Sequence, residues 1–454
     1  MRPSTRRHFL KTSLTSSPVL LSAFSWTHPI VARAAVVPAD FVFEPEKNII
    51  PAPRDPAQWP AFRRQLYEWR EAKRRRMRYS DALYRRDDFA WARSCFSCCF
   101  LMMGDETFYD PPEGRYRVEE FLDHGRREFG GYDAVVLWHA YPRIGADDRN
   151  QFDFYRDQPG GLEGLCELSR AFHHHNIKVF VDYNPWDTGT RREGRDDLDA
   201  LALLVQAIEA DGIFLDTMSR GAAEFRDRLD TVRPGVVFEG EGALPLENLH
   251  DHHLSWAQWF EDSEVPGVLR NKWFERRHLQ HQIKRWEPDH SGELHCAWMN
   301  GSGMMVWENV FGSWVGWNAR DRSILRAMLP IQRRYAGLFS GENWTPLVLT
   351  LAPEIYASMW ESEGLRLWTL VNRSAQAYEG PLLHIDPAGE GRIYDLIQGF
   401  EARVESKEGK TIVSGAIGPR GIGCFIAGES AALGADFGAF LQSQAGLAAR
   451  ADFD

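Results

Sequence analysis

From residue 96 to residue 238 the chain alternates short apolar runs with amphipathic segments, and few folds accept that rhythm. Phe96–Met103, Ala134–Trp138, Ile177–Val181, Ile213–Leu215 and Val236–Phe238 have strand length. Between them, apolar residues recur at helical spacing: Val118–Phe129; Leu162, Leu165, Leu168 and Phe172; Leu198, Leu201, Val205 and Ile208; Ala222, Phe225, Leu229 and Val232. Strands joined by helical crossovers run parallel. Residues 90–345 have room for eight such repeats, which predicts an α/β fold, a (β/α)8 TIM barrel. Leu254–Trp259, Leu294–Trp298 and Met304–Trp307 read as its later strands.

Beyond residue 345 the helical period stops. Ile355–Trp360, Leu365–Val371, Arg392–Leu396, Thr411–Val413 and Ile422–Ile426 read as strands joined by turns, predicting a small antiparallel β-sandwich domain over 346–428. An Ala/Gly-rich tail follows at 429–454. Ahead of the barrel, the extension at 35–89 carries a helix over 57–77, marked by Trp59, Phe62, Leu66 and Trp69. With 44% hydrophobic residues the chain can bury a large core, which excludes disorder. A net charge of −11 argues against nucleic acid as a partner, because phosphate binding needs a basic face. Six cysteines in 454 residues make no disulfide scaffold. The single Cys95-x-x-Cys98 lacks a second pair at zinc spacing and sits in an apolar run that reads as a buried strand.

The first 34 residues read as an address. They hold Arg2, Arg6, Arg7, Lys11 and Arg33 and no acid, then a short apolar stretch and Ala32-Arg33-Ala34. Ser4-Thr5-Arg6-Arg7-His8-Phe9-Leu10-Lys11 resembles the twin-arginine export consensus, so the export machinery is an expected partner and the periplasm or the exterior the expected location. The stretch is too short and too polar to insert in a membrane. No dinucleotide, P-loop, HExxH or GxSxG motif occurs, and no cofactor is expected.

In a barrel, chemistry lies where the strands end. Reading each run to its first polar residues gives His139 and Tyr141, then Asp182, Asn184, Trp186 and Asp187, then Asp216, then Glu239 and Glu241, and last Trp307 and Glu308. Helix capping explains single acids here, but not acids that follow Ile-Phe-Leu and Val-Val-Phe alike. Carboxylates at neighbouring strand ends suit glycoside cleavage, in which one attacks or stabilises the anomeric carbon and the other protonates the leaving oxygen. Seventeen tryptophans supply flat faces for sugar rings. The other readings are a non-catalytic carbohydrate-binding barrel and a metal-dependent hydrolase built on His250, His252 and His253.

Asp211-Gly212-Ile213-Phe214-Leu215-Asp216-Thr217 resembles the fourth-strand motif of the retaining α-glycosidase barrels, the α-amylase, α-galactosidase and endodextranase-like families. Val237-Phe238-Glu239-Gly240-Glu241-Gly242 is similar to the α-amylase fifth-strand segment, and Asp182-Tyr183-Asn184-Pro185-Trp186 to the substrate-lining third-strand motif. The resemblance implies a retaining glycoside hydrolase, hydrolytic or transglycosylating, acting on an α-linked oligo- or polysaccharide. Asp216 would be the nucleophile and Glu241 the acid/base, with Glu239 the alternative. His139, Tyr141, Asp182, Asn184, Trp186, Asp187, Trp307 and Glu308 would line the substrate. Position −2 from the nucleophile, an arginine in α-amylases, is Phe214 here. A retaining pair is expected with carboxyls roughly 5–5.5 Å apart.

Overall fold

Eight parallel strands close on themselves in chain order. They are β1 (Ser97–Met102), β2 (Ala134–Trp138), β3 (Lys178–Tyr183), β4 (Gly212–Leu215), β5 (Val237–Gly240), β6 (Leu254–Ala257), β7 (Leu279–Gln282) and β8 (Gly303–Val306). β8 returns to β1 with Met304 opposite Ser97. The computed structural model describes residues 41–139, 147–185, 191, 193–218, 221, 223–257, 262–386, 391–407 and 409–450. Every residue of β2 is buried, as expected for a strand with helices outside and a filled barrel within. Inside, the Phe100 ring lies 4.4 Å from Trp307, 5.3 Å from Phe214 and 5.5 Å from Trp256, centroid to centroid. Gly212 admits the Phe180 ring, since a Cβ there would lie 2.1 Å from it.

The seventh strand departs from the sequence reading. Leu294–Trp298, expected as a strand, lies inside the helix Ser291–Asn300. Nine of that helix's ten residues are buried, so it shows no polar face, and its apolar run has strand length. The actual strand, Leu279-Gln280-His281-Gln282, is fully buried despite three polar side chains, which hid it from a hydrophobicity reading. Gln282 Nε2 donates to Gln280 O at 2.8 Å, and Ser302 Oγ donates to the same carbonyl at 2.8 Å.

One crossover is short. Between β5 and β6 only a single turn forms, Leu246–Asn248. The N-terminal helix α1 (Trp59–Met77) supplies the cover there: Leu244, Leu246, Leu249 and Phe274 form one apolar cluster with Trp69, Met77 and Tyr79. Trp273 Nε1 donates to Leu66 O at 3.0 Å, fixing α1 to the barrel wall.

The C-terminal region is antiparallel throughout. Its strands are β9 (Trp344–Val348), β10 (Ile355–Ser362), β11 (Leu365–Asn372), β12 (Tyr378–Ile385), β13 (Arg392–Asp395), β14 (Phe400–Glu401), β15 (Arg403–Lys407), β16 (Lys410–Ile417) and β17 (Ile422–Gly428). They form a six-stranded sheet, β9-β10-β11-β17-β13-β14, and a three-stranded one, β12-β16-β15. Trp368, Leu370, Leu382, Val413 and Phe425 pack in the core between them. The Ser291–Asn300 helix joins this region to the barrel: Trp298 Nε1 donates to Gly423 O at 3.0 Å, and His295 donates to Arg420 O at 2.9 Å. Trp344 and Trp360 stack nearby at 5.6 Å. A last helix, Phe437–Ala448, is tied down by Gln444 Nε2, which donates to Ala327 O and Leu396 O. All six cysteines are free thiols. Among the described residues no helix is long and apolar enough to cross a membrane.

Candidate active site

Asp216 and Glu241 stand just past the ends of β4 and β5. The Asp216 N–H donates to Tyr183 O at 3.0 Å, which carries the ladder one step beyond β4. Next comes Thr217 with φ +56°, a left-handed conformation that a β-branched residue seldom adopts. That turn aims the Thr217 N–H at Glu241 Oε2, 2.5 Å away. Glu241 Oε1 meets the Arg285 guanidinium at 2.5 Å. The carboxyls of Asp216 and Glu241 interact directly, and the Asn184 side chain also acts on Asp216. Asn184 Nδ2 also donates to Asp182 Oδ2 at 2.9 Å, and His139 Nε2 lies 3.7 Å from the same oxygen. Five strand ends thus contribute to one polar chain: His139, Asp182, Asn184, Asp216, Glu241 and Arg285.

The electrostatics of the pair are uneven. Burial, then the charge and hydrogen bond of Glu241, push the Asp216 carboxyl up from 3.8 to about 7, against the pull of Arg285 and Asn184. Two carboxyls in contact cannot both ionise, so one proton sits between them, on the Asp216 side. His139 is buried, which lowers it to about 3 and keeps it neutral.

Around the pair the walls are aromatic. Arg285 lies 5.1–5.3 Å from the rings of Trp256, Trp307 and Phe311. Trp286, 47% exposed, stands 5.9 Å from Phe311 and carries that wall to solvent. Beside His139 opens a cleft of about 390 Å³ bounded by Trp138, Tyr109, Arg149 and Phe154.

The other expected residues divide. Trp307 joins the inner wall, packed on Phe100. Glu308 faces away from the pair: it lies 3.6 Å from His124 and lines a cavity of about 200 Å³ outside the barrel, beside β1. Its neighbour Trp307 takes the inward direction, and side chains of adjacent positions point oppositely. Tyr141, Trp186 and Asp187 lie outside the described residues. Glu239 is fully buried below Glu241, with Oε1 2.5 Å from His281 Nδ1. The histidine cluster is no ligand set. His250 is bound to Glu247 O, His252 lies between Asn248 O and the Gly221 N–H, and His253 stacks on Phe89 at 4.2 Å. Burial lowers His252 and His253 to about 3, in agreement with neutral packed imidazoles.

Two participants escaped the sequence reading. Arg285 follows the strand whose polarity concealed it; once β7 is placed, Arg285 stands an even number of residues beyond His281, on the inner face. Thr217 left no signal, because its part is played by a backbone N–H.

Comparison with solved structures bears on this architecture. The α-amylase of Anoxybacillus superposes with a TM-score of 0.51 at 13% identity, over 75% of this chain and 99% of that one. That of Geobacillus thermoleovorans, solved with acarbose, gives 0.51 at 12% identity over the same shares. An α-amylase from Lactobacillus plantarum gives 0.51 at 10%, over 74% and 99%. The chain has the fold of these α-amylases. No protein-family model and no curated protein sequence matches it. The arginine that α-amylases place on strand 4 is absent here, where Phe214 faces Phe100 and Trp256, yet a guanidinium does reach the carboxyl pair, from the end of β7.

Proposed function

We propose that the chain is a glycoside hydrolase that cleaves α-linked sugars by a retaining two-carboxylate mechanism. The observation that carries this reading is the directly interacting pair Asp216–Glu241 at adjacent strand ends, set against an aromatic wall that reaches solvent. Asp216 is the nucleophile and Glu241 the acid/base. For these roles the shared proton passes from Asp216 to Glu241 as a substrate parts the carboxyls and Arg285 shifts its charge toward Asp216. Glu241 then donates to the leaving oxygen while Asp216 attacks the anomeric carbon, and water, deprotonated by Glu241, releases the sugar. Glu239 takes no part in proton transfer to substrate, being sealed beneath the pair. The aromatic faces of Trp286 and Phe311 receive sugar rings.

One observation favours the exchanged roles: Glu241 holds both Arg285 and the Thr217 N–H, the company of a standing carboxylate. A 2-deoxy-2-fluoro glycoside traps the nucleophile as a covalent ester, and peptide mass spectrometry locates it. Label on Asp216 supports the assignment, label on Glu241 exchanges the roles, and turnover of no glycoside by the wild type leaves a binding barrel. Glu241→Ala is expected to keep part of its activity on activated aryl glycosides, which need little protonation, and to respond to azide. The proposal includes twin-arginine export to the periplasm or the exterior, supported by Ser4–Lys11. Replacing Arg6 and Arg7 together by Lys is expected to hold the protein in the cytoplasm, as cell fractionation would report.

A further inference from the structure

Beneath the carboxyl pair, three side chains that the proposed reaction does not use converge inside the barrel. They are Cys98 from β1, Glu239 from β5 and His281 from β7, all fully buried, with one donor atom of each within 4.8 Å of the others. The hydrogen bonds restrict what lies between them. His281 Nε2 is 2.7 Å from Cys95 O, and a carbonyl only accepts, so Nε2 carries the hydrogen. Nδ1 then faces Glu239 Oε1 at 2.5 Å. Two lone pairs do not approach so closely unless a proton stands between them, so in this state a proton holds the place that a cation can take. Glu239 Oε2 is buried with no hydrogen-bond partner, a costly state for a carboxylate oxygen. The backbone is shaped for the ring as well: a Cβ on Gly303 would lie 2.7 Å from the His281 ring and 2.8 Å from Phe96 O.

We propose that Cys98, Glu239 and His281 form a buried zinc site that ties β1, β5 and β7 together under the reaction centre. One sulfur, one nitrogen and one oxygen donor suit zinc, whereas thiolate does not suit magnesium or calcium. An imidazole that ligates through one nitrogen and donates its other N–H to a backbone carbonyl is the usual outer support of such a ligand. Zinc bonds of about 2.0–2.3 Å put tetrahedral donors roughly 3.5 Å apart. The Glu239–His281 pair therefore widens, Cys98 draws in, and a water fills the fourth position. Binding releases two protons, one from the Cys98 thiol and one from between Glu239 and His281, while Zn²⁺ gains three protein bonds and no electrons move. The ion is structural, because Glu239 holds it below Glu241 and away from the cleft.

Elemental analysis of the full chain after a chelator wash should find about one zinc per molecule. Protein refolded with cobalt should show a thiolate-to-cobalt charge-transfer band that Cys98→Ser abolishes and Cys166→Ser, at a half-exposed helix position, leaves intact. X-ray absorption at the zinc edge of the wild type needs no variant and should show sulfur in the shell together with nitrogen and oxygen. No zinc as isolated and no uptake of zinc or cobalt on refolding would mean that only a proton bridges Glu239 and His281, and the site falls. Zinc without sulfur in its shell, or a cobalt band that survives Cys98→Ser in folded protein, places the metal elsewhere and overturns it equally.

Discussion

Replacing Asp216 by Asn should stabilise the protein in alkali and do so much less in mild acid. In the folded chain Asp216 stands at about 7 against an ordinary 3.8, chiefly through burial and then through Glu241. The sign follows from linkage. A folded carboxyl that holds its proton more tightly than the unfolded one contributes stability that is full below 3.8 and is lost as pH rises through about 7. The interval corresponds to about 4 kcal/mol between the two ends. Asn has nearly the same shape, accepts from Asn184 and donates to Glu241, and has no proton to lose. At pH 8 it escapes nearly all of that cost; at pH 5, only a little above the unfolded value of 3.8, it escapes about 1.6 kcal/mol of it. For roughly 385 residues the unfolding entropy is about 0.8 kcal/mol/K, so the melting temperature should rise by about 5 °C at pH 8 and by about 2 °C at pH 5. Differential scanning calorimetry of both proteins at both pH values reads this directly. Equal increments at the two pH values, or a lower melting temperature for Asp216→Asn at pH 8, would refute the argument that Asp216 is the buried, proton-holding member of the pair.

Arg285→Met removes the cation that restrains Asp216, so the acid limb of the kcat/KM profile should move to higher pH, with a loss of about 10²-fold at the optimum. An unmoved limb would detach Arg285 from the pair. Trp344→Ala should cost about 3–5 kcal/mol in chemical denaturation, since the ring is buried between Trp273 and Trp360 where the two sheets' domain meets the barrel. Ending the chain at residue 345 should expose that surface and give insoluble protein, checked by the soluble fraction on expression.

The residues of β1 to β5 declared the barrel because parallel strands buried on both faces must be apolar, and the crossover helices must show one apolar stripe. The same logic fixed which end of β4 and β5 carries Asp216 and Glu241, and alternation along β5 set Glu239 and Glu241 on one face. It failed at β7, where His281 and two glutamines are buried and where His281 is held by Glu239 and Cys95 O, both distant in the chain. It failed in the opposite sense at Leu294–Trp298, where a helix enclosed by barrel and sheet has no wet side to mark its period.

Sequence alone therefore determined β1 to β5, their order and the carboxylates that follow β4 and β5, all of which follow from local period and polarity. Tertiary structure decided which of those carboxylates touch. It set Asp216 against Glu241, turned Glu308 outward to His124, brought Arg285 around from β7, and used α1 to cover a crossover that lacks its own helix. Those outcomes depend on closure of the barrel, which brings together residues tens to hundreds of positions apart. Once they meet in a space with little water, their protonation is set by one another rather than by their own ordinary values.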